Sequence, residues 1–410
     1  MGVYMGALCG RIKKLCGEIY GQVVEIRHAL HQNPELGYKE YQTAALIESY
    51  LKKWGVPYSR LPRSTAIIAK ADGRAGGRCV AIRADMDALP IQEETGLSYQ
   101  SRSPGVMHAC GHDLHTANLL GVCYIINNLR DEFSGSIKFF FQPAEEIGGG
   151  AQEIIDGGGL ENPKVAAVLA AHASEGIPVG KIRVKAQETM LASTGFAIAL
   201  SGRGGHGAAP HQTDDIILAA AKFVAELQSI PSRKHNFLDP SVITVCSIHG
   251  GTAGNIIPKE LTLSGTIRAQ NGRLLPKIEE SVKTLLTALE MTTGVKGAAF
   301  FRRGSGAVYN DPDLTETFTG AAAKIIGAEN ILKAEFPVNG SENFFLFSSR
   351  VPSVFFHFGV AEEDAVAQYP AHSPFFLASD QSFMTSLPVT AAAALAFLES
   401  RQTDPPAATK

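Results

Sequence analysis

Met107-His108-Ala109-Cys110-Gly111-His112-Asp113-Leu114-His115 gathers one thiol, three imidazoles and a carboxylate into a single run. Cys110 and His112 flank a glycine, so their side chains can converge from a turn onto one point. A thiolate beside an imidazole suits zinc and its neighbours among the divalent metals. Taken alone, Cys-Gly-His is more often a buried free thiol beside a surface histidine, so the rest of the chain has to decide. Asp85 and Asp87 alternate after one apolar run, Glu145 and Glu146 stand side by side after another, and His172 follows a third. His372 lies in a loop with Pro370 and Pro374 on either side.

As ligand types these residues offer Cys110, His112, Glu146, His172 and His372, with Glu145 to spare. Five ligands exceed a closed mononuclear zinc site and suit two metals that share one, for which the thiolate of Cys110 is the candidate. Two divalent ions about 3.5–4 Å apart can activate a water and polarise a carbonyl. That chemistry needs a base to carry the proton of the water to the leaving group, a role that fits Glu145. Asp87 is expected to orient a ligand from behind, and an Asx turn is enough to explain one of the two aspartates. The competing chemistry makes Cys110 a nucleophile and His112 its base. It leaves Glu145, Glu146, His172 and His372 without a task.

The elements that must hold these groups can be read from periodicity. Ile12, Leu15, Ile19, Val23, Ile26 and Leu30 recur at helical spacing, and a second helix is expected over 40–54. His28, His31 and Glu35 read as polar groups at helix ends and in loops. Short apolar strands are expected at 66–69, 79–83, 135–142 and 165–171, with Asp85/Asp87, Glu145/Glu146 and His172 just past their carboxyl ends. In open α/β sheets that rim is where ligands bind. From about 187 to 301 the order changes to strand, helix, strand, strand, helix, strand, which is the ferredoxin-like split βαβ unit. It carries a polar cluster of its own around His206, Asn255 and Arg268. After it the α/β character returns, with a helix at 314–326, a strand at 354–358 and a last helix at 385–398. The expected organisation is therefore a catalytic domain in two parts, 1–186 and 302–402, around an inserted domain at 187–301, with a disordered tail at 403–410.

Composition restricts the class. At 410 residues, 45% hydrophobic and 19% charged, the chain has ample core for an ordinary globular protein. A formal net charge of −3 gives no reason to expect nucleic acid or an anionic membrane. The six cysteines lack framework spacing, as expected of reduced thiols in a cytoplasm. No long apolar run follows Arg11, Lys13 and Lys14, so no signal peptide is expected, and no uninterrupted apolar stretch of about 18 residues suggests a membrane span.

Five runs together resemble one family: Arg-His-Ala-Leu-His-Gln-Asn-Pro-Glu-Leu-Gly (27–37), Arg-Ala-Asp-Met-Asp-Ala-Leu-Pro (83–90), the run at 107–115, Gln-Pro-Ala-Glu-Glu (142–146) and Gly-Gly-Thr-Ala-Gly-Asn-Ile-Ile-Pro (250–258). It is that of hippurate hydrolase, bacterial N-acyl-amino-acid amidohydrolases and plant indoleacetyl-amino-acid hydrolases. The resemblance spans residues 27–372. It implies a phosphorylase/hydrolase-like three-layer α/β catalytic domain with an inserted ferredoxin-like lid that often dimerises. It implies two divalent ions per chain (zinc, manganese, cobalt or nickel) on Cys110, His112, Glu146, His172 and His372, with Glu145 as general base. His206 matches a lid histidine that reaches a neighbouring subunit to stabilise the oxyanion. Asn255, Arg268 and Ser341 match positions near the substrate. The implied reaction is hydrolysis of a small N-acyl-amino acid by a cytoplasmic homodimer. A dipeptidase, a diaminopimelate-type deacetylase and a non-catalytic metal- or ligand-binding protein are the alternatives. Two departures bear on substrate preference. Asn343 stands where relatives usually have aspartate, and residues 173–178 read Ala-Ser-Glu-Gly-Ile-Pro where relatives tend to be apolar.

Overall fold

The computed structural model describes residues 2–236, 238–362 and 369–400, so the tail expected at 403–410 lies outside the described residues. The chain separates into two compact units. The first holds the described residues up to Thr189, then Tyr309–Phe336 and those from Asn343 onward, and the second holds Met190–Val308 and Pro337–Glu342.

The first unit is a three-layer α/β fold. Its eight-stranded sheet runs Tyr58–Arg60, Ile67–Asp72, Ser134–Gln142, Arg74–Asp85, Val165–Pro178, Ser353–Ala361, Ile182–Val184, Ile331–Lys333. The four central strands, from Ser134–Gln142 to Ser353–Ala361, are mutually parallel, so their carboxyl ends share one rim. They are nearly continuous apolar runs because both faces are covered. Phe139, Phe141, Phe356 and Phe358 point into the core shared with helices Gly2–Gln32, His112–Asn127 and Phe383–Glu399. Phe140 and Phe355 point the other way and pack on Phe347 and Phe344. Asp380–Glu399 has the length and composition to cross a membrane, but 83% of that stretch is buried, and packing accounts for its apolarity.

In the second unit the strands Ser241–Gly250, Glu260–Ala269, Ala192–Ser201 and Lys296–Arg303 form an antiparallel sheet in that order. Phe196, Ile198 and Leu200 alternate with exposed neighbours and pack with Leu261, Leu263 and residues of helices Ile216–Leu227 and Leu274–Thr293. One face is thus buried by helices and the other is open.

Candidate active site

Local chain geometry brings Cys110 and His112 together. Gly111 has φ +84, and a Cβ there would stand 3.0 Å from that of Ala173, so a side chain would be both strained and crowded. His112 then opens the helix His112–Asn127. A buried ion network fixes that helix start: Arg27 Nε donates to Asp113 Oδ2 at 3.1 Å, and His31 bridges Asp113 at 2.9 Å and Glu93 at 3.2 Å. His31 is thus a helix-end group, as expected, in the last turn of Gly2–Gln32, and is also part of a buried network. Glu35 is the end group expected, accepting the backbone N–H groups of Gln42 and Thr43.

The acidic pair follows the strand Ser134–Gln142. Ala144 adopts φ +56, its N–H held by the buried Glu40 at 2.9 Å, and Gly150 closes the loop where any Cβ would strike the Pro143 carbonyl. Asp87 accepts the N–H of Glu145 on Oδ1 at 3.0 Å and that of Glu146 on Oδ2 at 3.1 Å. Its Oδ1 also lies 3.3 Å from His112 Nδ1, which turns Nε2 of that ring toward Glu146.

His172 is not at a strand tip as expected but inside Val165–Pro178, because pairing with Ser353–Ala361 continues through His357↔His172 and beyond. On the other side the ladder with Arg74–Asp85 stops at Arg83↔Ala170. The Ala173 N–H left over there donates to His115 Nε2 at 2.8 Å. His115 must then carry its proton on Nδ1, which donates to Asp85 at 2.6 Å. Burial lowers the His115 pKa to about 4, keeping the ring neutral. His172 donates its Nδ1 proton to the Ala173 carbonyl at 2.7 Å, leaving Nε2 facing Cys110 Sγ at 3.7 Å. His372 has φ +69, with its N–H bound to the Ala109 carbonyl at 2.7 Å, and its Nε2 reaches Glu146 Oε1 at 3.4 Å. A non-glycine residue held there is the kind of backbone strain found at functional sites.

Among the described residues the candidate ligand atoms form two trios that share Cys110. They are Cys110, His112, His172 and Cys110, Glu146, His372, with the ligand atoms of each within 4.8 Å of one another. His112, Glu145 and Glu146 form a further group. Donors about 2.0–2.3 Å from one tetrahedral ion stand roughly 3.3–3.8 Å apart, as several of these pairs do. His112 Nε2 and Glu146 Oε1 are buried and, apart from the 3.4 Å approach of His372 Nε2 to Oε1, lack a hydrogen-bond partner. Orphaned lone pairs of this kind cost about 1–3 kcal/mol each unless a cation takes them, so the residues fit a metal centre. Asp85, His112 and His115 also cluster, but Arg83 donates to Asp85 at 2.7 Å and the Nδ1 proton of His115 is committed to it, so the Asp85 carboxylate is already satisfied. Burial pushes the Cys110 thiol up, and His112 does not overcome that. A nucleophilic cysteine needs the opposite shift.

The family model described as peptidase family M20/M25/M40 matches residues 81–398. The chain belongs to this family. An IAA-amino acid hydrolase ILR1-like 4 of Arabidopsis thaliana is 34% identical over 369 residues, 89% of this chain and 83% of the relative. An N-acetyl-L-cysteine deacetylase of Bacillus subtilis is 35% identical over 338 residues, 82% and 80% of the two chains. A solved dinuclear metal binding peptidase from the M20 family, from Bacillus subtilis, superposes with a TM-score of 0.82 at 29% identity, over 93% of this chain and 99% of its own. This M20/M25/M40 member is a metal-dependent amide hydrolase.

The other residues singled out from sequence lie in the second unit. His206 and Asn255 meet on the short ribbon of Gly205–His206 and Ile256–Ile257, where the Gly207 N–H donates to the Asn255 carbonyl at 2.8 Å. Arg268 sits on Glu260–Ala269 with Nη1 buried and unpartnered, and Ser341 lies in Pro337–Glu342. Glu40 and His115 are not expected from sequence as supports of the site, and Asn343 is expected only to bear on substrate preference. His115 had a signal, since it lies in the metal-ligand run itself. Glu40 had none.

Proposed function

We propose that the protein hydrolyses N-acyl-amino acids to a carboxylic acid and a free amino acid at two divalent ions held by Cys110, His112, Glu146, His172 and His372. The observation that carries this reading is the pair of ligand trios sharing Cys110, which suits a bridging thiolate. When bound, the ions supply an activated water and a polarised acyl carbonyl. Glu145, grouped with His112 and Glu146, takes the proton of the attacking water on its carboxylate and passes it to the leaving nitrogen. Asp87 holds the backbone of both glutamates and the tautomer of His112. The substrate class is supported by two relatives whose names specify amino-acid conjugates. The unpartnered Arg268 Nη1 supports a role in binding the substrate carboxylate. His206 is assigned to the oxyanion, and Asn255 and Ser341 to polar substrate contacts, on the strength of the resemblance. A homodimer through the second unit is supported by the edge strand Ser241–Gly250, on which Val242 and Ile248 are exposed.

The test is metal analysis with hydrolysis of a panel of N-acetyl- and N-benzoyl-amino acids, before and after chelation. Expected are about two ions per chain, activity lost on chelation and restored by a divalent ion, and a Glu145→Gln variant that keeps metal but not turnover. Full metal loading with no turnover across the panel would refute the assigned substrate class. Activity that survives demonstrated metal removal would overturn the mechanism.

A further inference from the structure

Asn343 is buried and lies about 200 positions from the glutamate pair in sequence, yet it touches their loop twice. Its backbone N–H donates to Glu145 Oε1 at 3.0 Å. Its side-chain Nδ2 donates to the Gly149 carbonyl at 2.6 Å. Oδ1 accepts from Arg83 Nη2 at 3.0 Å and from Gln142 Nε2 at 2.9 Å. The orientation of this amide follows from its neighbours. A guanidinium can only donate and a carbonyl can only accept, so the reversed amide would set donor against donor and acceptor against acceptor. Gln142 is oriented in turn, since its Oε1 accepts from Arg83 Nε at 2.8 Å. Arg83 is anchored to Asp85 at 2.7 Å.

We propose that Asn343 is a positioning residue for Glu145, and that the site requires the carboxamide at this position rather than a carboxylate. This rests on the reading of Glu145 as proton carrier. Asp87 grips the backbone N–H of Glu145, and the Asn343 N–H grips its carboxylate. The Nδ2 bond to Gly149 ties residue 343 to the far end of the same loop, so carboxylate and loop move together. An aspartate could keep the bonds from Arg83 and Gln142. Its second oxygen would face the Gly149 carbonyl where Nδ2 now donates, acceptor against acceptor, and would press the loop away. Displacing a catalytic group by about 1 Å costs on the order of a hundredfold in rate.

The experiment compares Asn343→Asp, Asn343→Ala, Glu145→Gln and Glu145→Asp for kcat, KM, bound metal and thermal unfolding. The substrate is the fastest N-acetyl- or N-benzoyl-amino acid of the panel. Expected for Asn343→Asp is a kcat lower by about 10- to 100-fold with KM within about threefold and metal content unchanged. Asn343→Ala, which keeps the backbone N–H but loses the tie to Gly149 without adding the repulsion, should fall between it and the parent and serves if the aspartate variant does not fold. In the Glu145→Asp background, where the shortened carboxylate gives up its contact with the N–H of residue 343, the same substitutions should cost far less. An undiminished cost in that background, or an Asn343→Asp enzyme with parental kcat while Glu145→Gln is inactive, overturns the role of Asn343 alone. A Glu145→Gln enzyme with parental turnover overturns the reading of Glu145 and this inference with it.

Discussion

Replacing Asp87 with asparagine should loosen the metal centre without touching a ligand. The buried carboxylate accepts three hydrogen bonds: His112 Nδ1 at 3.3 Å and the Glu145 N–H at 3.0 Å on Oδ1, and the Glu146 N–H at 3.1 Å on Oδ2. Asparagine can match the first two with its one oxygen. Its NH2 group then faces the Glu146 N–H, donor against donor. The lost charge-assisted bond and the stranded donor together correspond to about 2–3 kcal/mol. Glu146 is a candidate ligand, so most of that loss should appear in metal affinity, as a weakening of about 10- to 100-fold. Competition with a chromophoric chelator measures the dissociation constant directly, and unfolding of the chelated protein reports what falls on the fold instead. The Glu145→Gln variant, which alters no ligand and leaves Asp87 in place, should keep near-parental affinity and so provides the control. An Asp87→Asn protein that folds normally and binds metal within threefold of the parent would refute this account of how the glutamate loop is held.

Two other outcomes are expected. Glu175, within the segment where this chain departs from its relatives, accepts the Ala371 N–H at 3.2 Å and so steadies the loop carrying His372. Glu175→Ala should weaken metal binding by about three- to tenfold, the effect of one partly exposed hydrogen bond, as read by the same chelator competition; unchanged affinity would show the loop holds itself. His31 sets a pH limit on stability. Burial opposes its charge, but Asp113 and Glu93 overcome this and raise its pKa from 6.5 to about 9. A pKa raised on folding contributes stability that is complete below pH 6.5 and is lost as pH rises toward about 9. The rise corresponds to about 3 kcal/mol at most. Denaturant unfolding should show a decline across that window that His31→Asn lacks; parallel curves for the two proteins would refute the assignment.

Much of the fold was legible because it is written in short-range pattern. Periods of two and of about 3.6 marked the strand–helix–strand–strand–helix–strand order now seen between Ala192 and Arg303, and they placed the parallel strands ahead of the acidic pairs. Strand ends were less legible. Val165–Pro178 runs on past His172 because its partner Ser353–Ala361 does, and pairing with a segment so distant in sequence leaves no local trace. The same holds for residues 182–184 and 331–333, which form strands only against each other and Ser353–Ala361.

At the site, residue chemistry and spacing alone nominated Cys110, His112, Glu145, Glu146, His172 and His372, and a turn through glycine is enough to make Cys110 and His112 converge. Local sequence could not say that Cys110 would be common to two trios. It singled out Asp87 as the residue that orients a ligand, but could not say what would hold Asp85. Asp85 is taken up by Arg83 and His115, and Asp87 by His112 and the glutamate loop. That division depends on which donors other segments deliver. Hydrogen bonds are directional and short in range, so only the packed fold decides which of two identical carboxylates receives them.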